Sequence, residues 1–453
     1  MTEKIKSINP YSKKEIAFYN PHSEEEVKAK IEAGHTAFKN WRNFSLDDRC
    51  ELVRKLGLQI NAEKDFLAKL AVAEMGKPFV QAISEVEKCA WLCEHYADNA
   101  AEYLKREVIK TDASESWVSY EPLGLILAVM PWNFPYWQVM RFAVPTLLAG
   151  NTGILKHASN VPGCSKALEG LFTKAGFPDG VFSQVRISGS RVKEIIDHPH
   201  VKAASLTGSE KAGKSIAENA GKQLKKCLLE LGGSNAFIIL EDADLSEIME
   251  TAVFARTQNN GQSCIAAKRF IVHASIYETF KEKLKDQFKE LVTGDPMKEE
   301  TDIGPLARVD LAEELDEQMK KSIEAGAELL LGGERDEAIF YPTILDGIEP
   351  GMAAFDEETF GPLATITKVD SAEEAIELAN QSRFGLGATI CSTNVEKAKK
   401  LAMLIEDGAV FINELVKSDP RLPFGGTKIS GYGRELGPLG IKEFVNAKTY
   451  YVK

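Results

Sequence analysis

The chain has 453 residues, room for two or three domains at roughly 150 residues each, and its 34 glycines and 18 prolines exclude collagen-like and linker-dominated classes. Its 55 Lys+Arg against 67 Asp+Glu leave a formal net charge of −12, which disfavours a nucleic-acid or anionic-membrane partner. Seven irregularly spaced cysteines read as reduced thiols of a cytoplasmic protein and not as a disulfide framework.

The amino-terminal stretch MTEKIKSINPYSKKEI lacks the apolar run of a signal peptide. From residue 23 to 107 the apolar residues recur every three or four positions, as in Val27, Ile31, Phe38 and Leu52, Leu56, Ile60, predicting successive amphipathic helices. Residues 122–140 carry no formal charge over 19 positions, near the length of a membrane span. Pro122, Pro131 and Pro135 break a helix there, and Asn133 and Gln138 would be orphaned in lipid, so the segment is expected to be a buried strand followed by a loop.

Beyond it, short apolar runs at 125–130, 152–155, 203–206 and 236–240 predict buried strands, with helices at 163–175, 190–197 and 211–220 between them. A second series follows, with strands near 269–272, 328–331, 364–367, 387–390 and 409–412 and helices near 276–291, 311–325, 372–381 and 395–405. This alternation predicts an α/β protein with two wound parallel sheets.

Gly208-Ser209-Glu210-Lys211-Ala212-Gly213-Lys214-Ser215 satisfies the P-loop pattern GxxxxGK[ST] at a predicted strand-to-helix turn. A Walker-B-like run, Phe237 to Asp242, lies about 25 residues on, which leaves little room for the intervening elements. A P-loop-type nucleotide hydrolase is therefore the distant alternative. Physically, such a turn offers backbone N–H groups to any phosphate, a dinucleotide's pyrophosphate included.

Three segments together carry the parts of a covalent acyl-transfer site. Pro131-Trp132-Asn133-Phe134-Pro135 supplies an amide, Glu230-Leu231-Gly232-Gly233 a carboxylate, and Gly261-Gln262-Ser263-Cys264 a thiol. Taken singly, a cysteine is more often a small buried hydrophobe, and Glu-Leu-Gly-Gly more often a helix end. His198-Pro199-His200 offers two imidazoles with no third ligand nearby in sequence, and Cys89 and Cys93, one helical turn apart, read as core.

With PWNFP at 131–135, GN at 150–151 leading to Lys156, TGS at 207–209, ELGG at 230–233, GQxC at 261–264, ExFGP at 358–362 and PFGG at 423–426, the whole chain resembles the aldehyde dehydrogenase superfamily. Lys-His-Ala at 156–158, where Lys-Pro-Ser is commoner, makes it most similar to bacterial succinate-semialdehyde dehydrogenases. The resemblance implies two Rossmann-like parallel-sheet domains plus a small β oligomerisation element. Residues 1–104 and 121–231 would form the dinucleotide-binding domain and 232–430 the catalytic domain, while 105–120 and 445–453 would form a hairpin and tail that make a homodimer or homotetramer.

The resemblance also implies roles. Cys264 is the nucleophile, Asn133 an oxyanion donor, and Glu230 the base for thioester hydrolysis, giving NAD- or NADP-dependent oxidation of an aldehyde to a carboxylic acid. Met130, Trp132, Lys156, Ser159, Ser209, Leu231, Glu358 and Phe360 fall at cofactor-binding positions. Ser159 stands where many NAD-specific members place a glutamate, which removes a repulsion to the NADP 2′-phosphate. Trp137, Gln138, Arg141, Gln258, Ser418 and Phe424 fall at the aldehyde tunnel. Arg141 suits a distal carboxylate, as in succinate semialdehyde, unless a protein acid such as Asp419 claims it. Relatives often carry a second arginine at the place of Gln258, so a neutral aldehyde or another ω-semialdehyde is the alternative substrate.

Overall fold

Leu125–Met130 buries five of its six side chains, as a strand covered on both faces must. In the computed structural model, which describes residues 4–453, it is central to a six-stranded sheet ordered Gly431–Tyr432, Lys226–Glu230, Val201–Thr207, Leu125–Met130, Thr152–His157, Phe182–Val185. All neighbours pair in parallel except Gly431–Tyr432, the short antiparallel edge. Strand order reverses beside Leu125–Met130, because the chain continues to Thr152–His157 on one side and later returns to Val201–Thr207 on the other. At such a switch point the carboxyl ends of the two central strands part and leave a crevice.

A seven-stranded sheet follows, ordered Glu328–Leu331, Thr343–Asp346, Leu363–Val369, Ala267–His273, Asn235–Ile239, Ala388–Cys391, Val410–Ile412, again parallel but for its first edge. A separate three-stranded antiparallel sheet joins Glu107–Val108, Glu115–Pro122 and Val445–Val452. The helices expected before residue 107 are Glu24–Trp41, Leu46–Ala62, Lys64–Met75 and Phe79–Tyr103. Their apolar faces merge with helix Trp137–Leu148 into one core that includes Trp41, Leu56, Tyr96 and Val144.

Several expectations need correcting. The helix expected at 211–220 runs Glu210–Lys222, and strand Lys226–Glu230, paired with Val201–Thr207, was not foreseen. Thr343–Asp346, Phe182–Val185 and the Ile5–Ile8/Glu15–Tyr19 hairpin were not foreseen, being too short for their periodicity to register. The uncharged stretch 122–140 divides into strand Leu125–Met130, a turn, and the start of helix Trp137–Leu148. Among the described residues no helix is long and apolar enough to cross a membrane.

Candidate active site

Cys264 follows a turn in which Asn259 (φ 56°), Asn260 (φ 58°) and Gly261 (φ 73°) are all left-handed, a conformation that asparagine and glycine tolerate best. Three side chains tie this turn to its surroundings. Asn259 Nδ2 donates to Asn133 O at 2.8 Å, Asn260 Nδ2 donates to Gly76 O and Pro305 O at 3.0 and 2.9 Å, and Gln262 Oε1 accepts from Ala307 N at 2.9 Å. From below, Lys268 Nζ donates to the carbonyls of Ser263 (2.8 Å) and Cys264 (2.9 Å). A side chain at Gly261 would run into the backbone of Gly361, so the turn depends on glycine in both shape and space.

Asn133 is buried, and its Nδ2 donates to Gln262 O at 3.0 Å. One of its two amide hydrogens is thereby fixed and the other remains for an oxyanion beside the thiol. Burial pushes the Cys264 thiol up to about 11, with the Arg141 charge acting in the opposite direction. The thiol of the free protein is thus held mostly protonated at neutral pH.

Cys264 and Gln138 line both of two adjoining cavities. The larger, about 590 Å³, opens at the switch point of the six-stranded sheet. Trp132, Ser209, Leu231, Glu358 and Phe360 are among its walls. Ser209 caps helix Glu210–Lys222, so free amides at that helix start face the cavity end where Gly208 and Ser209 sit. Glu358 Oε1 accepts from Gly233 N at 3.0 Å and lies 3.7 Å from Lys268 Nζ; burial raises its carboxyl from the usual range. Trp132 and Phe360 meet edge to face at 5.8 Å.

Met130 is buried at the end of its strand, Lys156 is half-buried in the adjacent strand, and Ser159 is exposed just beyond it; these three lie outside the walls of that cavity. Desolvation pulls the Lys156 ammonium down. His157, between them in the fold, is driven down to about 4 by burial and is therefore neutral, with Nε2 donating to Pro135 O at 2.8 Å and Nδ1 accepting from Ala158 N at 2.9 Å. The Lys-His-Ala segment is in this way locked to the PWNFP turn.

The smaller cavity, about 180 Å³, is lined by Trp137, Gln138, Arg141, Gln258, Ser418 and Phe424 among others. Trp137 Nε1 donates to Ser418 Oγ at 2.9 Å. Gln138 Oε1 and Gln258 Nε2 are buried without hydrogen-bond partners, so the cavity offers both an unsatisfied acceptor and an unsatisfied donor. Arg141 is paired not with Asp419, which holds Arg421, but with Glu435, and it stacks over Phe424 at 4.6 Å.

Three residues that the motifs did not mark also belong here. Glu85 Oε1 accepts the backbone N–H of Tyr136 (2.8 Å) and Trp137 (2.9 Å), fixing the start of the helix that carries Trp137, Gln138 and Arg141, while its other oxygen pairs with buried Lys77. Lys88, one turn further along helix Phe79–Tyr103, lines the smaller cavity. Glu435 was hidden in the segment after PFGG.

Glu230 ends its strand fully buried, lines neither cavity, and has no hydrogen-bond partner on either carboxyl oxygen. Burial and the nearby Glu435 raise it well above the usual carboxylate range.

The P-loop alternative is corrected. Lys214, which would have to reach a nucleotide phosphate, instead bonds Glu210 on the exposed face of its helix and is absent from the cavity wall. Asp242 is spent accepting bonds from Ser392, Thr393 and Asn394. His198 and His200 face Glu32 at 3.6 and 3.5 Å, and His200 stacks on His35. Among the described residues no group of three or more His, Cys, Asp or Glu is placed to hold a metal. Cys89 and Cys93 are buried core thiols.

A sequence model of the aldehyde dehydrogenase family matches residues 1–450. The chain belongs to that family. A Synechocystis protein named as a probable succinate-semialdehyde dehydrogenase of the NADP(+) type is 50% identical over 451 residues, covering 99% of each chain. An Escherichia coli succinate semialdehyde dehydrogenase named for NAD(P)+ is 44% identical, covering 98% of this chain and 97% of its own. The crystal structure of a succinic semialdehyde dehydrogenase from Streptococcus pyogenes with NADP+ superposes with a TM-score of 0.97 at 41% identity, covering 99% of each. As an aldehyde dehydrogenase, the protein is an oxidoreductase in which the larger crevice suits a dinucleotide and the thiol is part of its wall.

Proposed function

We propose that the protein oxidises succinate semialdehyde to succinate with NADP+. The observation that carries this reading is the position of Cys264 in the walls of both a dinucleotide-sized crevice and a small cavity whose largely apolar walls also carry cationic side chains and unsatisfied amides. The relatives named for this substrate and cofactor at 44–50% identity support it.

The cofactor supplies a hydride acceptor when bound. Lys156 would bond its adenosine ribose, Ser209 and the adjoining amides its pyrophosphate, and Glu358 its nicotinamide ribose, with Met130, Trp132, Leu231 and Phe360 as packing surfaces. Ser159, exposed and uncharged, admits a 2′-phosphate without repulsion and leaves NAD usable.

Cys264 loses its thiol proton to solvent and adds as the thiolate to the aldehyde carbon, and the second Asn133 amide hydrogen stabilises the resulting oxyanion with the Cys264 backbone N–H. As the carbonyl re-forms, the hydride leaves, and the acyl group remains on Cys264 as a thioester. Glu230 then deprotonates the hydrolytic water, which adds to the thioester carbonyl; collapse breaks the C–S bond, frees the Cys264 thiolate and releases the carboxylic acid. This role requires the Glu230 side chain to turn from its buried position into the reaction space and to lose its proton as it gains solvent. Trp137, Gln138, Arg141, Gln258, Ser418 and Phe424 form the substrate walls.

Residues 1–104 and 121–231 act as the cofactor domain and 232–430 as the catalytic domain. The three-stranded sheet leaves both of its outer strands, Glu107–Val108 and Val445–Val452, with an unpaired edge, and Val108 and Ile109 on one side and Tyr451 on the other are exposed; a second copy would satisfy such an edge, so a homodimer or homotetramer is proposed. Seven free thiols suit the cytoplasm. The test is NADPH absorbance with succinate semialdehyde beside butanal: a higher kcat/KM for the acid supports the reading, and a preference for butanal leaves a neutral-aldehyde dehydrogenase.

A further inference from the structure

The charges around the smaller cavity can be balanced residue by residue. Arg141 is paired with Glu435, Lys417 with Glu414 at 2.8 Å, and Glu85 with Lys77. Asp419, near the rim, is held by Arg421. Lys88 alone among the cavity's ionic side chains has no carboxylate within ion-pair distance among the described residues.

Its position is nonetheless fixed. Lys88 Nζ donates to Ser418 Oγ at 3.2 Å and sits 4.3 Å from the Trp137 ring centroid, a cation on an aromatic face. Ser418 also accepts from Trp137 Nε1, so Lys88, Trp137 and Ser418 form one connected polar group on the cavity wall. A half-buried ammonium with a single neutral acceptor keeps unused donors and an uncompensated charge.

We infer that Lys88 binds the distal carboxylate of the substrate and is the residue that selects an acidic aldehyde over a neutral one. Arg141, neutralised by Glu435, contributes shape and a hydrogen bond but little net charge. Ser418 steers the ammonium and can offer its own hydroxyl to the same carboxylate. The inference rests on the proposal that the substrate is an ω-carboxylated aldehyde. Desolvation lowers the Lys88 ammonium to about 8, and an incoming carboxylate would restore it, so binding and charge reinforce each other.

The test compares Lys88→Met, which keeps the apolar stem on Trp137, with Lys88→Arg, using succinate semialdehyde and butanal. Lys88→Met is expected to lose about 10- to 150-fold in kcat/KM for the acid, mostly through KM, with butanal within about threefold of wild type. Lys88→Arg is expected to recover most of the loss. Should Lys88→Met fail to fold, Lys88→Gln serves the same comparison. An unchanged KM for the acid, or equal losses on both aldehydes, overturns the assignment. The wild-type comparison keeps the two ideas apart: a wild type that prefers butanal defeats the substrate reading itself, whereas a wild type that prefers the acid with an indifferent Lys88→Met defeats only Lys88.

Discussion

The Arg141 guanidinium and the Glu435 carboxylate form an ion pair whose side chains are only 2% and 3% exposed, directly beneath the substrate cavity. Arg141 Nη2 also reaches Thr207 Oγ1 at 3.4 Å at the end of a central strand, so the pair bonds the substrate helix to the cofactor sheet. A cation so engaged cannot be removed as if it served the substrate alone.

Removing one partner should strand the other's charge. Arg141→Leu is expected to destabilise the protein by about 3–5 kcal/mol and to lower turnover of succinate semialdehyde and butanal together. In denaturant titrations, Arg141→Met combined with Glu435→Leu should recover much of that loss, because no uncompensated charge remains. Strictly additive losses in the double variant would mean that the two residues do not act as a pair.

Cofactor choice can be probed at Ser159. Ser159→Glu is expected to lower kcat/KM with NADP+ relative to NAD+ by about tenfold or more, equivalent to about 1.4 kcal/mol of repulsion. An unmoved ratio would show that the 2′-phosphate is bound elsewhere.

Because burial pushes Cys264 up to about 11, the free protein's thiol should alkylate slowly at neutral pH. The sign follows from the thiolate fraction: below its pKa the rate rises about tenfold per pH unit, so iodoacetamide labelling of Cys264 should still be climbing at pH 10. A plateau near the ordinary thiol value of about 8.5 would contradict the buried, protonated state.

Much of this was legible in the sequence because buried parallel strands are written as short apolar runs. Leu125–Met130 occupies the expected residues, as does the more exposed antiparallel edge strand Glu328–Leu331, and the helices around them start and end within a few positions of expectation. Lys226–Glu230 was not legible, since KCLLE fits a helical or a strand period equally over five residues. The nucleophile loop could be located from GQxC, but its two consecutive left-handed asparagines depend on carbonyls of Gly76, Asn133 and Pro305 brought from distant segments. Lys88 and Glu435 were invisible for a related reason. A lysine on an amphipathic helix ordinarily reads as a solvated residue, and only the fold brings Lys88 against Trp137 and Glu435 against Arg141.

The most direct measurement is the intact mass of Glu230→Gln protein after incubation with succinate semialdehyde and NADP+. Without the base that activates water, the thioester should persist: the account predicts a mass gain of one succinyl group, mapped by peptide analysis to Cys264, with one NADPH released per active site and then little further turnover. An unmodified Cys264 with undiminished steady-state turnover, or an adduct on another residue, would contradict it.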